Sequence, residues 1–438
     1  MIVIENGTIL TMDDDRSVYF GGHVVIDGDR ITAVGAGRYG GEAGDARGAE
    51  TIDAAGMIVM PGLVDLHFHT AIGKGYSDHL PLWEYLDTCW YPLIRNLDAE
   101  SAYWAAAASY LEGIKSGVTT VNDMYRRLPD LARAAADIGI RAVLSNDVAL
   151  PEHNLDTLQD NKDAFDAVHG TAGGRIEVYV GIEWLPLASP ELLRDARALA
   201  DELSTGIHVH LNESLTEVED SKKRFGRRPT EVAYDAGLLG PDCVAAHCVW
   251  LSDTEIALMR ETGTHISHNP SSNAKLGNGI ARLPEMLAAG INIGLGHDAA
   301  ESSNNCDLFE VMKFASLIHR AARVDAGLQQ APDVLAMATR NGAAALGHDT
   351  GYLAPGRKGD VILVDTRNVM FTPLAEGNPD QIYSHLVFAA NGSAVDTTIV
   401  DGAILMRGRT VLTMDEPVVL REASRALARV TDAIGWGR

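Results

Sequence analysis

The stretch PGLVDLHFHT, Pro61–Thr70, decides how the middle of this chain is interpreted. It is an apolar run that ends in two histidines, His67 and His69, which one phenylalanine separates. Residues i and i+2 of a β-strand point to the same face and lie about 6.5 Å apart along the strand. Both imidazoles can therefore converge on one metal ion, because zinc–nitrogen bonds are about 2.1 Å long. The stretch predicts a strand whose carboxyl end carries half of a metal site.

Outward from this stretch, short strand candidates alternate with longer segments of helical periodicity, such as residues 101–117 and 190–204. The strand candidates cover residues 58–69, 118–124, 139–147, 176–184, 206–213, 243–250, 264–270 and 291–298. Eight strands, each followed by a helix, are typical of a (β/α)8 barrel. The sequence therefore predicts an α/β fold in which residues 59–349 form a TIM-barrel catalytic domain.

The two ends of the chain share a different pattern, with short strands joined by Asn-Gly and Asp-Gly turns. Residues 1–58 and 350–415 are predicted to form one small β-sandwich domain together, and residues 416–438 a C-terminal helix. An alternative is an open sheet that binds a dinucleotide, because GAGRYG at residues 35–40 matches GxGxxG. No apolar helical face follows this match, so residues 35–48 are predicted to form a loop.

Composition limits the classes of partner. Of the 438 residues, 46% are hydrophobic and 22% are charged, which is typical of a soluble globular protein. The formal net charge of −24 disfavours nucleic acids and anionic membranes as partners. The four cysteines form no CxxC pair, and no apolar run reaches the roughly 18 residues of a membrane span. A cytoplasmic location with free thiols is expected.

Three later strand candidates also end in residues that bind metals or transfer protons. The fifth ends in HVHLNE, with His210 and Glu213; the sixth ends near His247, and the eighth ends at Asp298. Barrel enzymes place their reactive groups at the carboxyl ends of the strands. His210 adds a third nitrogen ligand and Asp298 an oxygen ligand, while Glu213 lies just beyond the strand. This pattern predicts one catalytic divalent metal with an open coordination position.

PGLVDLHFHT, HVHLNES, AAHCVWL, SHNPSSNAKL and GHDAAESSNN together resemble the amidohydrolase superfamily. The closest resemblance is to its branch of nucleoside deaminases, guanine deaminases and s-triazine hydrolases. It implies one metal per chain, zinc with iron(II) as the alternative, and the ligands His67, His69, His210 and Asp298. It also implies that Glu213 shuttles protons and that His247 contacts the attacking oxygen. No lysine ends the fourth strand, where binuclear relatives carry a bridging ligand, so a single metal is favoured.

The implied reaction is hydrolytic deamination of an amino-substituted nitrogen heterocycle of purine, pyrimidine, pterin or triazine type, or of a nucleoside. Hydroxide attacks the ring carbon, Asp298 takes the proton of the water, and ammonia leaves. One alternative is a hydrolase of the same scaffold that releases an alkylamine or chloride or opens a cyclic amide. Another is a scaffold protein without catalytic activity. The expected partners are a small heterocycle, water and further copies of the chain in a homodimer or homotetramer.

The chain departs from the nucleoside deaminases at two places. They carry a base-binding histidine at the end of strand four, where either Glu183 or Trp184 stands in this chain. They carry a ribose-binding glutamate where Ile94 stands here. A carboxylate at residue 183 favours a substrate that is rich in N–H donors or positively charged.

Further candidates for substrate contacts lie in the loops that follow the strands. An aromatic wall is predicted from Trp83, Trp90, Trp184 and Tyr125. His79 follows strand one, and Glu301 and Asn304 follow strand eight, where capping of the next helix is the alternative role. His268, after strand seven, is predicted to support the site by a hydrogen bond.

Overall fold

The computed structural model describes residues 1–40, 49–76, 78–375 and 377–436. The strands are β1 Ile2–Leu10, β2 Val18–Asp27, β3 Arg30–Gly35, β4 Glu50–Asp53, β5 Met57–Pro61, β6 Leu63–His69, β7 Val118–Tyr125, β8 Arg141–Asn146, β9 Ile176–Val178, β10 Val180–Ile182, β11 Ile207–Leu211, β12 Cys243–His247, β13 His265–His268, β14 Ile293–Leu295, β15 Asp298–Ala299, β16 Val361–Asp365, β17 Val395–Val400, β18 Ala403–Arg407 and β19 Thr410–Val411.

The α-helices are α1 Leu82–Tyr85, α2 Tyr91–Arg95, α3 Ala99–Lys115, α4 Leu128–Ile138, α5 Leu158–Val168, α6 Thr171–Gly174, α7 Pro190–Leu203, α8 Leu215–Phe225, α9 Pro229–Asp235, α10 Asp253–Thr262, α11 Pro270–Lys275, α12 Leu283–Ala288, α13 Ala300–Ser303, α14 Leu308–Arg323, α15 Ala331–Ala336, α16 Gly342–Ala345, α17 Pro379–Phe388 and α18 Glu416–Ala433. π-Helical turns cover Leu86–Trp90 and Met337–Asn341, and 3-10 turns cover Pro151–His153, Leu185–Leu187, Val369–Phe371 and Gly392–Ala394.

The central strands form a parallel (β/α)8 barrel, as predicted. They pair in two arcs, β15-β6-β7-β8-β9 and β10-β11-β12-β13-β14. β9 and β10 are two halves of one strand, interrupted at Tyr179, and β14 and β15 are interrupted at Gly296 and His297. Because β10 also contacts β8 and β14 also contacts β6, the two arcs join into one ring of eight strands. The carboxyl ends of all eight strands therefore meet on one face.

Both ends of the chain contribute to a second sheet, in the order β19-β18-β17-β16-β5-β1-β2-β3, with β4 paired to β1. It encloses a separate apolar core with residues such as Ile4, Val24 and Ile399. The structure therefore has the predicted second, β-sandwich part. The strand predicted over residues 58–69 is two strands, because β5 pairs in this sheet and β6 in the barrel. Gly62 separates them, and a Cβ there would lie only 2.1 Å from Thr119 Oγ1.

The C-terminal helix is α18, which packs against α3 of the barrel. Residues 437–438 of the predicted helix and residues 41–48 of the predicted loop lie outside the described residues. Residues 36–38, which follow β3, form a bend, and residues 39–40 belong to no helix or strand. Among the described helices, none combines the length and the apolar character that crossing a membrane requires.

Candidate active site

Four side chains from three strands converge at the carboxyl face of the barrel. His67 and His69 end β6, His210 lies near the end of β11, and Asp298 begins β15. Asp298 Oδ1 lies 3.2 Å from His67 Nε2 and 3.3 Å from His69 Nε2. His69 Nε2 lies 3.1 Å from His210 Nε2, and one ligand atom of each side chain lies within 4.8 Å of the others. Tetrahedral ligands at zinc distances would be about 3.4 Å apart, so the set fits one divalent metal.

Hydrogen bonds behind two of the histidines turn their Nε2 lone pairs toward this point. His69 Nδ1 lies 2.5 Å from the carbonyl oxygen of Met124, to which it donates. His67 Nδ1 lies 2.9 Å from His208 Nε2, and His208 Nδ1 lies 3.1 Å from Ser145 Oγ. An imidazole that donates from Nδ1 is free to ligate through Nε2. His208 thus contacts His67 and is not itself one of the four side chains that can bind the metal.

Burial keeps the three imidazoles neutral, which is the form that binds a metal. It lowers the pKa of His67 to about 3 and also lowers the pKa values of His69 and His210. Asp298 Oδ2 accepts hydrogen bonds from Ser272 Oγ at 2.5 Å and Ser302 Oγ at 2.8 Å. These two hydroxyls orient the carboxylate so that Oδ1 faces the histidines.

Glu213 lies beside the convergent set as a buried carboxyl group. Burial and the nearby charge of Asp298 raise the pKa of Glu213 well above its usual range, so its protonated form is favoured. Asn278 Nδ2 donates to Glu213 Oε1 at 2.8 Å, and His247 Nδ1 lies 3.8 Å from the same oxygen. His247 Nδ1 is also 2.9 Å from Asn273 Oδ1. A buried, neutral carboxyl group at this place can deliver a proton to a ring nitrogen.

The backbone at the site adopts conformations that cost free energy. His247 has φ 71° and Asp298 has φ 75°, both in the left-handed region that residues with a Cβ rarely adopt. Such strain persists only where surrounding contacts fix it, and it concentrates at functional sites. The strain lies at His247, the last residue of β12, and at Asp298, the first residue of β15, where the two side chains enter the site.

These groups line a cavity of about 40 Å³. Its lining comprises His69, Leu82, Tyr85, Leu86, Trp90, Glu183, Trp184, His210, Glu213, His247, Leu276, Asp298, Ala299 and Ser302. Tyr85 and Trp90 come from the segment of α1, the following π-helical turn and α2, which covers the site after strand one. The cavity therefore places polar reactive groups against an aromatic wall, an arrangement that suits a flat ring.

The structure places the other predicted substrate residues at different depths. Glu183 and Trp184 line the cavity, and Trp83 packs against Trp184 with ring centroids 4.5 Å apart. Glu301 is buried and accepts hydrogen bonds from the backbone N–H groups of Ile72 and Gly73 at 2.7 and 2.5 Å. It thereby fixes the loop after strand one.

Four further candidates lie away from the cavity lining as far as it is described. His79 and Asn304 are exposed, and Asn304 Oδ1 accepts a hydrogen bond from Lys275 Nζ at 2.9 Å. His268 Nε2 lies 3.0 Å from His319 Nε2 on α14, so its observed partner is another histidine. Tyr125 is fully buried behind Trp90, with ring centroids 5.6 Å apart.

Sequence reasoning assigned no role to several residues that hold the reactive groups in place. Asn273, Asn278 and Ser272 follow strand seven, in and just after the stretch SHNPSSNAKL. Each is buried and bonds to His247, Glu213 or Asp298. A run of small polar residues after a barrel strand was the available signal, because buried amides and hydroxyls need partners.

The comparisons with known proteins agree with this geometry. The family model described as the amidohydrolase family matches residues 58–405. The chain belongs to the amidohydrolase family. This amidohydrolase is 40% identical over 430 residues to the 5'-deoxyadenosine deaminase of Methanosarcina mazei, covering 97% of each chain. It is 38% identical over 420 residues to the 5-methylthioadenosine/S-adenosylhomocysteine deaminase of Desulforudis audaxviator, covering 95% of this chain and 96% of the relative.

A solved structure supports the same assignment. The adenosine deaminase of Xanthomonas campestris, determined with bound zinc, superposes on this amidohydrolase with a TM-score of 0.90, 25% identity and 98% of each chain covered. The predictions of the family, the fold, one divalent metal and a metal-dependent deaminase acting on carbon–nitrogen bonds are confirmed.

Proposed function

We propose that this amidohydrolase uses zinc to deaminate an adenosine-type nucleoside that lacks or replaces the 5'-hydroxyl group. The observation that carries the proposal is the position of Glu213, a buried carboxyl group that Asn278 holds beside the convergent His67, His69, His210 and Asp298. The substrate class is supported by relatives named as deaminases of 5'-deoxyadenosine and 5-methylthioadenosine, which match nearly the whole chain. Zinc is supported by the ligand set and by the zinc in the Xanthomonas structure.

The ligand set would hold the metal, which supplies Lewis acidity and makes hydroxide available from water near neutral pH. Glu213 donates its proton to the ring nitrogen next to the reacting carbon, which draws electrons away from that carbon. Asp298 accepts the proton that the water gives up. Glu213, now a carboxylate, takes the remaining proton of the added hydroxyl group as the ring carbonyl forms, and the proton held by Asp298 passes to the amino group, which leaves as ammonia.

We assign His247 the orientation of the attacking water. Its Nδ1 lies against Asn273 Oδ1, an acceptor, so the neutral ring carries its hydrogen on Nδ1 and presents Nε2 as an acceptor. Burial lowers the pKa of His247 and so favours this neutral form. An acceptor at this place binds an O–H group and turns the oxygen lone pair toward the substrate.

The test is ammonia release by the zinc-loaded protein from 5'-deoxyadenosine, 5'-methylthioadenosine, adenosine, adenine, guanine and an aminotriazine. We expect the highest kcat/KM with one of the two 5'-modified nucleosides, and a product identified by mass spectrometry as the corresponding inosine. Release from guanine or the triazine alone would contradict the nucleoside proposal and leave the deaminase assignment intact. A cytoplasmic location and a homodimer or homotetramer remain predictions, which fractionation and light scattering test.

A further inference from the structure

Two buried carboxyl groups lie side by side where barrel strands three and four end. Asp147 directly follows β8, and Glu183 directly follows β10. The backbone N–H of Glu183 donates to the carbonyl oxygen of Val148 at 2.9 Å, so the two strands are still paired at this level. Asp147 has no exposed surface and Glu183 only 4%. Glu183 lines the same cavity as Glu213 and Asp298, so it belongs to the wall of the active site, and Asp147 is its ionisable neighbour.

These carboxyl groups have acceptor oxygens without donors. Glu183 Oε1 accepts from the hydroxyl group of Tyr91 at 3.2 Å, but Glu183 Oε2 and both oxygens of Asp147 have no hydrogen-bond partner among the described residues. Burial raises the pKa of Glu183 to about 7 and, together with the neighbouring Glu183, that of Asp147 well above its usual range. Buried polar atoms are nearly always paired, and an unpaired one costs free energy.

A neighbouring glutamate shows that the fold does pair such groups elsewhere. Glu217 is also fully buried near the site, and it accepts from Trp184 Nε1 at 2.9 Å and from the backbone N–H groups of Asn212 and Glu213 at 2.9 and 2.7 Å. Glu183 and Asp147 differ from Glu217 in that three of their four carboxyl oxygens have no hydrogen-bond partner among the described residues. A ligand that brings donor hydrogens to this wall would supply the missing partners.

The proposed substrate class limits which donors can arrive there. An adenosine-type nucleoside without a 5'-hydroxyl has three strong donor groups: the 6-amino group and the 2'- and 3'-hydroxyls. The amino group is the leaving group, so it must face Glu213 and the ligand set. Only the two ribose hydroxyls are left to meet carboxyl oxygens elsewhere in the cavity, and acceptor oxygens on a carboxyl group suit a pair of adjacent hydroxyls.

We infer that Glu183 binds the ribose 2'- and 3'-hydroxyls of the substrate and that Asp147, behind it, is a positioning residue. This inference rests on the proposed function and deepens it, because it makes the preferred substrate a ribonucleoside rather than a free base or a deoxyribonucleoside. Tyr91 orients the Glu183 carboxyl through Oε1, which leaves Oε2 for the sugar. The ribose-binding role that Ile94 on α2 cannot perform is thereby assigned to Glu183, at the end of barrel strand four.

The experiment compares kcat/KM for 5'-deoxyadenosine, 2',5'-dideoxyadenosine and 3',5'-dideoxyadenosine. The proteins are the zinc-loaded wild type, Glu183→Met, Glu183→Gln, Asp147→Asn and the control Glu177→Gln. Glu177 lies on β9, at the opposite end of the same barrel strand. Metal content is measured for every variant, because an effect on the sugar must leave the metal in place.

For the wild type and Glu177→Gln we expect at least about a tenfold loss of kcat/KM when a ribose hydroxyl is removed, because a polar site rejects a substrate that leaves its groups unpaired. In Glu183→Met this loss should fall to within about threefold, and Glu183→Gln, which keeps one carbonyl acceptor, should be intermediate. Asp147→Asn should raise KM with little change in kcat.

If removal of a ribose hydroxyl lowered kcat/KM equally in the wild type and in Glu183→Met, the inference would be overturned. A wild type that deaminates all three nucleosides equally well would also overturn it. If Glu183→Met does not fold, discrimination in Glu183→Gln that equals the wild type overturns it instead. A wild type that releases no ammonia from any nucleoside refutes the proposed function itself, so the two failures are distinguishable.

Discussion

Asn278 donates from Nδ2 to Glu213 Oε1 at 2.8 Å, and this amide links the loop after strand seven to the proton-transferring group after strand five. The backbone of Asn278 is also held by a hydrogen bond, since its carbonyl oxygen accepts from Trp250 Nε1 at 2.7 Å. Both ends of the residue are therefore fixed. A carboxyl group that must protonate one ring nitrogen gains from being held in one rotamer.

Replacement of Asn278 by alanine is expected to lower kcat by about 10-fold to 100-fold, since Glu213 loses the donor that orients it. KM and metal content should change little. Steady-state kinetics with metal analysis checks this, and Asn292→Ala is the control. Asn292 also donates through its side chain, to the carbonyl oxygen of Asn341, but it directly precedes β14 and so lies at the amino end of that strand, opposite the site. Equal kcat values for Asn278→Ala and the wild type would show that the amide does not position Glu213.

Glu213→Gln is expected to retain about one metal ion per chain and to lose turnover by about 100-fold to 10,000-fold, the range that general acid–base groups contribute. The amide keeps the shape of the side chain and the contact with Asn278 but has no acidic proton to deliver. Rapid-quench or steady-state ammonia assays with metal analysis measure both quantities. The control is Glu219→Gln on the exposed side of α8. Near-normal turnover of Glu213→Gln would remove the proton-transfer role.

A buried ion pair beneath the metal ligands joins the first barrel strand, β6, to the interruption between β14 and β15. His297 Nδ1 lies 2.6 Å from Asp65 Oδ2, and neither side chain is exposed. Removing one partner of such a pair leaves an uncompensated group in the core, at a cost of about 3–5 kcal/mol.

Asp65→Asn should therefore lower the thermal unfolding midpoint clearly, as scanning calorimetry of the metal-loaded protein measures. Asp27→Asn is the matched control, because Asp27 has 66% of its side chain exposed and only a 3.8 Å contact with the N-terminal amine. Midpoints that fall equally little in both variants would contradict a stabilising role for the His297–Asp65 pair.

The sequence predicted what depends on local spacing. His67 and His69 converge as predicted, because a strand places residues i and i+2 on one face. The other predicted site residues lie at or just beyond the ends of their strands. The break at Gly62 was missed, since it depends on the close approach of Thr119 from the next strand. The contacts of Asn273 and Asn278 were missed for a similar reason. Loop residues acquire partners only when distant strands meet.

The proximity of Asp147 to Glu183 also could not be predicted from the sequence, although one of the two residues was predicted to bind substrate. Glu183 was predicted to be a substrate residue from its position at a strand end, and the structure places it in the cavity lining. Asp147 carries no motif, and its burial beside Glu183 follows only from the parallel pairing of strands three and four. A single sequence does not show which of its many aspartates lose contact with water.

The central claim, a deaminase that depends on one metal ion, is tested most directly by titrating chelator-treated protein with zinc and measuring ammonia release from 5'-deoxyadenosine. We expect negligible release without metal, a linear rise as zinc is added, and a plateau at about one equivalent per chain, because His67, His69, His210 and Asp298 form one ligand set. Full turnover by the metal-free protein, or a plateau at two equivalents, would contradict this claim.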